Sequence, residues 1–116
     1  MASGWFKLMS IVDELESAFK SQASFSDTSE LLFTHQVALE IIENCAKKGI
    51  LILGMDFYVR DGRDYKELLS SADFSELKGK PDAVHQAVRS AKKLIAEGLP
   101  EDADFVSFVL DDASRK

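Results

Sequence analysis

Cysteine is nearly absent from this 116-residue chain. Cys45 stands alone, so no internal disulfide can form, which agrees with a reducing compartment. Soft-metal ligands are equally scarce. With two histidines and no Cys-x-x-Cys or His-Glu-x-x-His spacing, a structural zinc site is not expected, and no metal is. The six glycines build neither Gly-x-Gly-x-x-Gly nor Gly-x-x-x-x-Gly-Lys-Ser/Thr, so no nucleotide or other cofactor is expected. No apolar run approaches the roughly 20 residues of a membrane-spanning helix. The opening Met-Ala-Ser-Gly-Trp-Phe-Lys lacks the basic region, apolar core and small-residue cleavage site of a secretory signal. A cytoplasmic protein without a membrane partner is the expectation. An excess of positive charge is also missing. The net charge is −6, which argues against nucleic acid as a partner, because phosphate recognition needs a basic footprint.

What is present suits one domain over residues 1–116, long enough to bury roughly two thirds of its unfolded surface. Trp5, Leu8, Val12, Leu15 and Phe19 recur at the spacing of a helical stripe, which predicts a helix over about 4–20. A polar linker over Ser21 to Ser26 follows. Asp27-Thr28-Ser29-Glu30 has the form of a capping box, with Asp27 as N-cap. It predicts a second helix with Leu31, Ala38, Ile41, Ile42 and Cys45 on its apolar face, ending near Lys47 before Gly49.

Ile50-Leu51-Ile52-Leu53 reads as a strand buried on both faces, with Gly54 marking a bulge or a close backbone approach. Met55, Phe57 and Val59 then alternate with Asp56, Tyr58 and Arg60. Asp61-Gly62 predicts a two-residue type I′ hairpin and a returning strand over about 63–68. Ser70 to Gly79 reads as a loop with room for one helical turn. Pro81 suits the first position of a third helix, whose face is Val84, Val88, Ala91 and Leu94 or Ile95, stopped by Gly98 and Pro100. Phe105 to Leu110 closes the chain as a strand, and 111–116 reads as a polar tail. The expected fold is α+β, in the order α-α-β-β-α-β, with helices on a small, mainly antiparallel sheet.

The candidate chemistry is that of recognition. His35 and Cys45, ten residues apart on one predicted helix, stand about 15 Å apart and cannot meet. His35 falls near the apolar stripe and His85 on an exposed helix surface. Without a nucleophile, base or ligand set, an enzyme is not expected. Asp56 interrupts an apolar strand beside Gly54, and such a carboxylate either bonds a neighbour or meets a partner. Tyr58, Tyr65 and Phe74 either pin their segments to the core or join nearby acids in an interface region. The candidate partner-binding set is Asp56, Tyr58, Asp61, Asp64, Tyr65, Asp73, Phe74 and Glu76, which the hairpin and the following loop should gather. Tyr58 and Tyr65 should be cross-strand or diagonal neighbours. The competing face is Asp13, Glu14 and Glu16 of the first helix. Residues 1–44 carry a balance of −5, the middle of the chain (45–93) +3, and residues 94–116 return to −4. A negative surface of this kind either simply solvates the fold or steers a basic partner.

Ile52-Leu53-Gly54-Met55-Asp56-Phe57-Tyr58, entered from a helix that ends at Gly49, resembles the Ile-Leu-Gly-Gly-Asp-Val-Tyr strand of immunity protein family forty of bacterial polymorphic toxin systems. Met55 replaces the second glycine and Phe57 the valine, and the tryptophan and further aromatics of the family's hairpin region are missing, leaving Tyr65 and Phe74. The resemblance covers about residues 30–112. It implies an inhibitor that binds and neutralises a cognate toxin domain, in one version a basic nuclease, inside the producing cell. A non-catalytic adaptor or regulatory protein-binding domain is the alternative. No feature of the sequence sets an oligomeric state.

Overall fold

The computed structural model describes residues 11–26, 28–97 and 103–112. Helix α1 (Ile11–Phe19) turns Leu15 fully inward, so the described part of the first predicted stripe holds; residues 4–10 of that stripe lie outside the described residues. One 3-10 turn (Lys20–Gln22) leads to β1 (Ser24–Phe25), which pairs antiparallel with β2 (Leu31–Leu32).

Here the sequence expectation of a helix beginning at Asp27 fails. Asp27 itself lies outside the described residues, but α2 spans His35–Lys48 with Thr34 as its N-cap, whose Oγ1 accepts from the Val37 N–H at 3.4 Å. The segment before it is held by a turn instead. The Ser26 hydroxyl accepts from the N–H groups of Thr28 and Glu30, and the Ser26 N–H donates to the Glu30 carbonyl. Leu32 and Phe33 are buried in extended backbone, and Phe33 exchanges both backbone hydrogen bonds with Val106. Long-range pairing thus overrides the helix propensity of Leu31 and Leu32. At its other end α2 follows expectation: Gly49 adopts φ 71°, and its N–H donates to the Cys45 carbonyl.

The sheet has the order β4-β3-β5, all antiparallel, with β3 (Ile50–Asp61) central, β4 (Asp64–Asp73) and β5 (Phe105–Asp112). Asp61 pairs with Asp64, so the two-residue loop is Gly62-Arg63 rather than Asp61-Gly62. Gly62 alone of the two has positive φ (64°), the pattern of a type II′ turn instead of I′. Two irregularities shape β3. Ile52 pairs with Leu110 and Gly54 with Val109, which leaves Leu53 as an extra residue against β5; its carbonyl accepts from the Phe74 N–H at 2.7 Å. A Cβ on Gly54 would stand 2.9 Å from the Ala72 carbonyl oxygen, so both the bulge and the close approach expected there are present. On the other side, β3 advances from Asp56 to Tyr58 while β4 retreats from Ser71 to Glu67, so β4 carries the excess and its Leu69 is left fully exposed.

The returning strand runs past the expected 68 to Asp73, and the loop after it contains a 3-10 turn at Ser75–Leu77. Helix α3 is Ala83–Ala96. Pro81 lies before its N-cap, and Asp82, at φ 65°, spends its carboxylate on His85 Nδ1 (3.1 Å) rather than on a cap. Ala83, Ala87 and Ala91, one turn apart, join Val88 and Ile95 on its buried face, and these small side chains let α3 lie close against α2 and β3. Ile52, Met55, Phe57 and Val106 line the sheet face under α2 and α3 in one apolar core with Ile41, Ile42 and Cys45. The last strand continues to Asp112, two residues into the expected tail. The result is the α+β fold read from the sequence, with a small β1–β2 hairpin added.

Candidate functional site

Strand register decides which residues share the sheet face turned away from α2 and α3. Gly54, Asp56, Tyr58 and Arg60 of β3 pair with Asp73, Ser71, Glu67 and Tyr65 of β4, and the first three with Val109, Ser107 and Phe105 of β5. These groups therefore form one surface. At its hairpin end the Tyr65 and Phe105 rings meet edge to face, with centroids 5.2 Å apart. The Arg60 guanidinium lies 5.1 Å from the Tyr65 ring centre and 5.7 Å from that of Phe105. Asp104 fastens this corner: its carboxylate accepts from the Arg60 N–H at 3.0 Å, and its own N–H donates to the Tyr58 carbonyl.

Beside this cation–aromatic group lie three carboxylates. The Tyr58 hydroxyl donates to Glu30 Oε1 at 3.3 Å, and the Ser107 hydroxyl donates to the same oxygen at 3.1 Å. Burial and then the Glu30 charge raise the Asp56 carboxyl above its ordinary value. Glu67 is raised by desolvation and by Asp56 and Glu30. Tyr58, 4% exposed, is pushed up to about 12, first by burial and then by the surrounding acids. Among the described residues, none of Glu30, Asp56 and Glu67 forms an ion pair; the ion pairs join Lys78 to Asp111, Asp82 to His85 and Arg89, and Lys92 to Glu43. A concentration of negative charge left unneutralised costs stability and attracts cations.

The eight residues singled out from the sequence divide accordingly. Asp56, Tyr58 and Tyr65 share the outer face, and Tyr58 and Tyr65 are diagonal neighbours as expected, since their direct partners are Glu67 and Arg60. Tyr58 is buried on that face, and its hydroxyl reaches the acidic group at Glu30. Asp61 and Asp64 sit opposite each other at the hairpin tip, in register with Val59 and therefore on the other face. Asp73 lies at the far end, level with Gly54, where the Ser75 hydroxyl and then the Ser75 N–H, which donates to it at 2.9 Å, hold its carboxyl below the usual range. Phe74 is half-buried against the core and Glu76 is exposed on the turn beyond it. Sequence reasoning missed Glu30, Glu67, Phe105 and Ser107. Glu30 and Ser107 lie 77 positions apart, and no local pattern joins them.

The competing acidic face is not separate. Asp13 and Glu14 of α1 are exposed, but Glu16 is half-buried and lines a cleft of about 430 Å³ that also contains Glu30 and Asp56. Its carboxyl is raised by burial and by Asp13.

Among the described residues, no group of three or more His, Cys, Asp or Glu is placed to hold a metal ion. Cys45 is buried, with its thiol pushed up to about 12 by desolvation, far from the thiolate a nucleophile needs. The side chain of His35 is partly buried and its Nε2 has no hydrogen-bond partner, while His85 is exposed on α3. No helix among the described residues is long and apolar enough to cross a membrane. No protein-family model matches the chain, and no curated protein or solved structure matches it either.

Proposed function

We propose that this chain is a non-catalytic inhibitor of the immunity-protein type, binding a basic cognate toxin domain in the cytoplasm of the cell that makes both. The observation that carries the reading is the outer sheet face. There Glu30, Asp56 and Glu67 have no cationic partner among the described residues and adjoin the Arg60, Tyr65 and Phe105 group. Unneutralised carboxylates beside aromatic and arginine side chains suit a partner that brings its own positive charge, as a nuclease active site does. The strand Ile52–Tyr58, similar to that of immunity family forty, runs through the middle of this face.

The test is protection. The chain is expected to co-purify with the protein encoded by the adjacent upstream gene and to restore growth to cells expressing it. Paired Asp56→Asn and Glu67→Lys substitutions are expected to weaken both, with the fold intact by circular dichroism, while Asp61→Lys and Asp64→Lys leave protection near the parent level. Full protection by the first pair removes the outer face from the reading. Binding without any effect on growth favours an adaptor instead.

A further inference from the structure

The outer edge of β5 is half used. Phe33 exchanges two backbone hydrogen bonds with Val106, an antiparallel bridge. In a strand, alternate residues turn their backbone groups to the same side. Phe108 and Leu110 therefore turn their N–H and carbonyl groups to this same edge, and among the described residues nothing pairs with them. Had the bridge simply continued, with each step back from Phe33 matched by a step forward from Val106, Leu31 would face Phe108 and Ser29 would face Leu110. The chain turns away instead. Ser29 adopts φ 67°, a left-handed conformation costly for a residue with a side chain, and the backbone of Glu30 is spent on Ser26. The space opened by this detour is the 430 Å³ cleft. Its apolar side is built from Leu15 and Phe19 of α1, Phe33 and Ile41; its acids are Glu16, Glu30 and Asp56, and among the described residues no base lines it.

We infer that this cleft receives an extended, basic peptide segment of a partner, added antiparallel to β5 beside Phe108 and Leu110. Both its walls and its charge select the occupant. An added strand alternates its side chains between two faces. One set would enter with Phe108 and Leu110 toward the apolar side; the other would lie with Ser107 and Val109 toward Glu30 and Asp56. The fitting sequence alternates apolar and basic residues, held by main-chain hydrogen bonds, as in other strand-addition sites. A second copy of this chain is the poorer occupant, because it would bring Glu16, Glu30 and Asp56 against the same acids. The inference does not rest on what the partner does, and a strand can bind here whether or not the outer face neutralises a toxin.

The test uses the full chain, its amide exchange and a defined probe, the N-acetylated, C-amidated heptapeptide Thr-Lys-Val-Lys-Val-Lys-Thr. In the free chain the Phe108 and Leu110 amides are expected to exchange at least about tenfold faster than those of Ser107 and Val109, which are bonded within the sheet. Adding the peptide should slow the first two selectively. Methylating the valine nitrogens, which face β5 in an antiparallel strand, should abolish binding, whereas methylating the lysine nitrogens should leave it. Replacing the lysines by glutamate should abolish it as well, and Glu16→Gln with Glu30→Gln should weaken it about tenfold. Slow exchange of Phe108 and Leu110 in the free chain overturns the inference, since the edge would already be filled by the chain itself or, if concentration-dependent, by a second copy. Equal binding of both methylated peptides overturns it too, because contact would then be through charge alone.

Discussion

Gly54 and Asp56 stand two residues apart on the central strand, and each is set by what lies across from it. A side chain at 54 would meet the Ala72 carbonyl oxygen, a backbone atom that cannot swing aside. Gly54→Ala should therefore cost about 1–3 kcal/mol, as overpacking does, and lower the denaturant midpoint without changing the slope. Asp56 acts in the opposite sense. Its folded carboxyl is raised by burial and by Glu30, so the folded state keeps a proton where the unfolded state has released it. Stability then falls as pH rises through that window, and the penalty is complete above it. Asp56→Asn should raise the melting temperature at neutral pH, the gain shrinking to nothing as pH falls below the ordinary carboxylate range. A gain that persists in acid would mean that the carboxylate charge is not its source. Tyr58 is held up first by burial and then by the Glu30 charge, so Glu30→Gln should lower the pKa of its hydroxyl, read by ultraviolet titration of the tyrosines.

At the scale of elements, much of the chain was legible because its signals are local. The Lys47-Lys48-Gly49 ending of α2, the apolar run of β3, the bulge at Gly54 and the closing strand each rest on neighbouring residues alone. The start of α2 was not. Asp27-Thr28-Ser29-Glu30 carries the letters of a capping box, yet Glu30 serves Tyr58 and Ser107, and Phe33 is drawn into the sheet by Val106, far along the chain. The helix can begin only after that bridge is made. Thr34→Ala should accordingly destabilise by about 0.5–2 kcal/mol through loss of the α2 cap. An unchanged denaturation midpoint would show the Val37 N–H to be satisfied in another way. The candidate site was half legible for the same reason. Alternation along β3 placed Asp56 and Tyr58 on one face, but Asp61 and Asp64 separate from them at the hairpin tip, and the excess residues on β4 could not be counted from either strand alone. Glu30 reaches the face only through a turn whose partners are distant.

For the whole molecule, charge is arranged by folding rather than by position in the sequence. The acidic first third supplies Glu16 and Glu30, and the mildly basic middle nevertheless contributes Asp56 and Glu67 to the same region. A basic partner should associate faster than neutral encounter allows, and raising the salt should slow association while dissociation changes little. Stopped-flow mixing across a range of ionic strength measures this; a rate insensitive to salt would mean that these acids do not steer the encounter. The position of β5 has a consequence of another kind. It is the strand that completes the second side of β3, yet it follows α3 in the chain, and Val106 and Ser107 anchor the segment of Phe33 and Glu30 made long before. While the protein is being synthesised, α2, β3 and β4 can form as they emerge, but Ile52, Met55 and Phe57 keep an open neighbour until residues 105–112 are out. A ribosome stalled before that point would present a half-built sheet, a natural substrate for chaperones that recognise apolar strands.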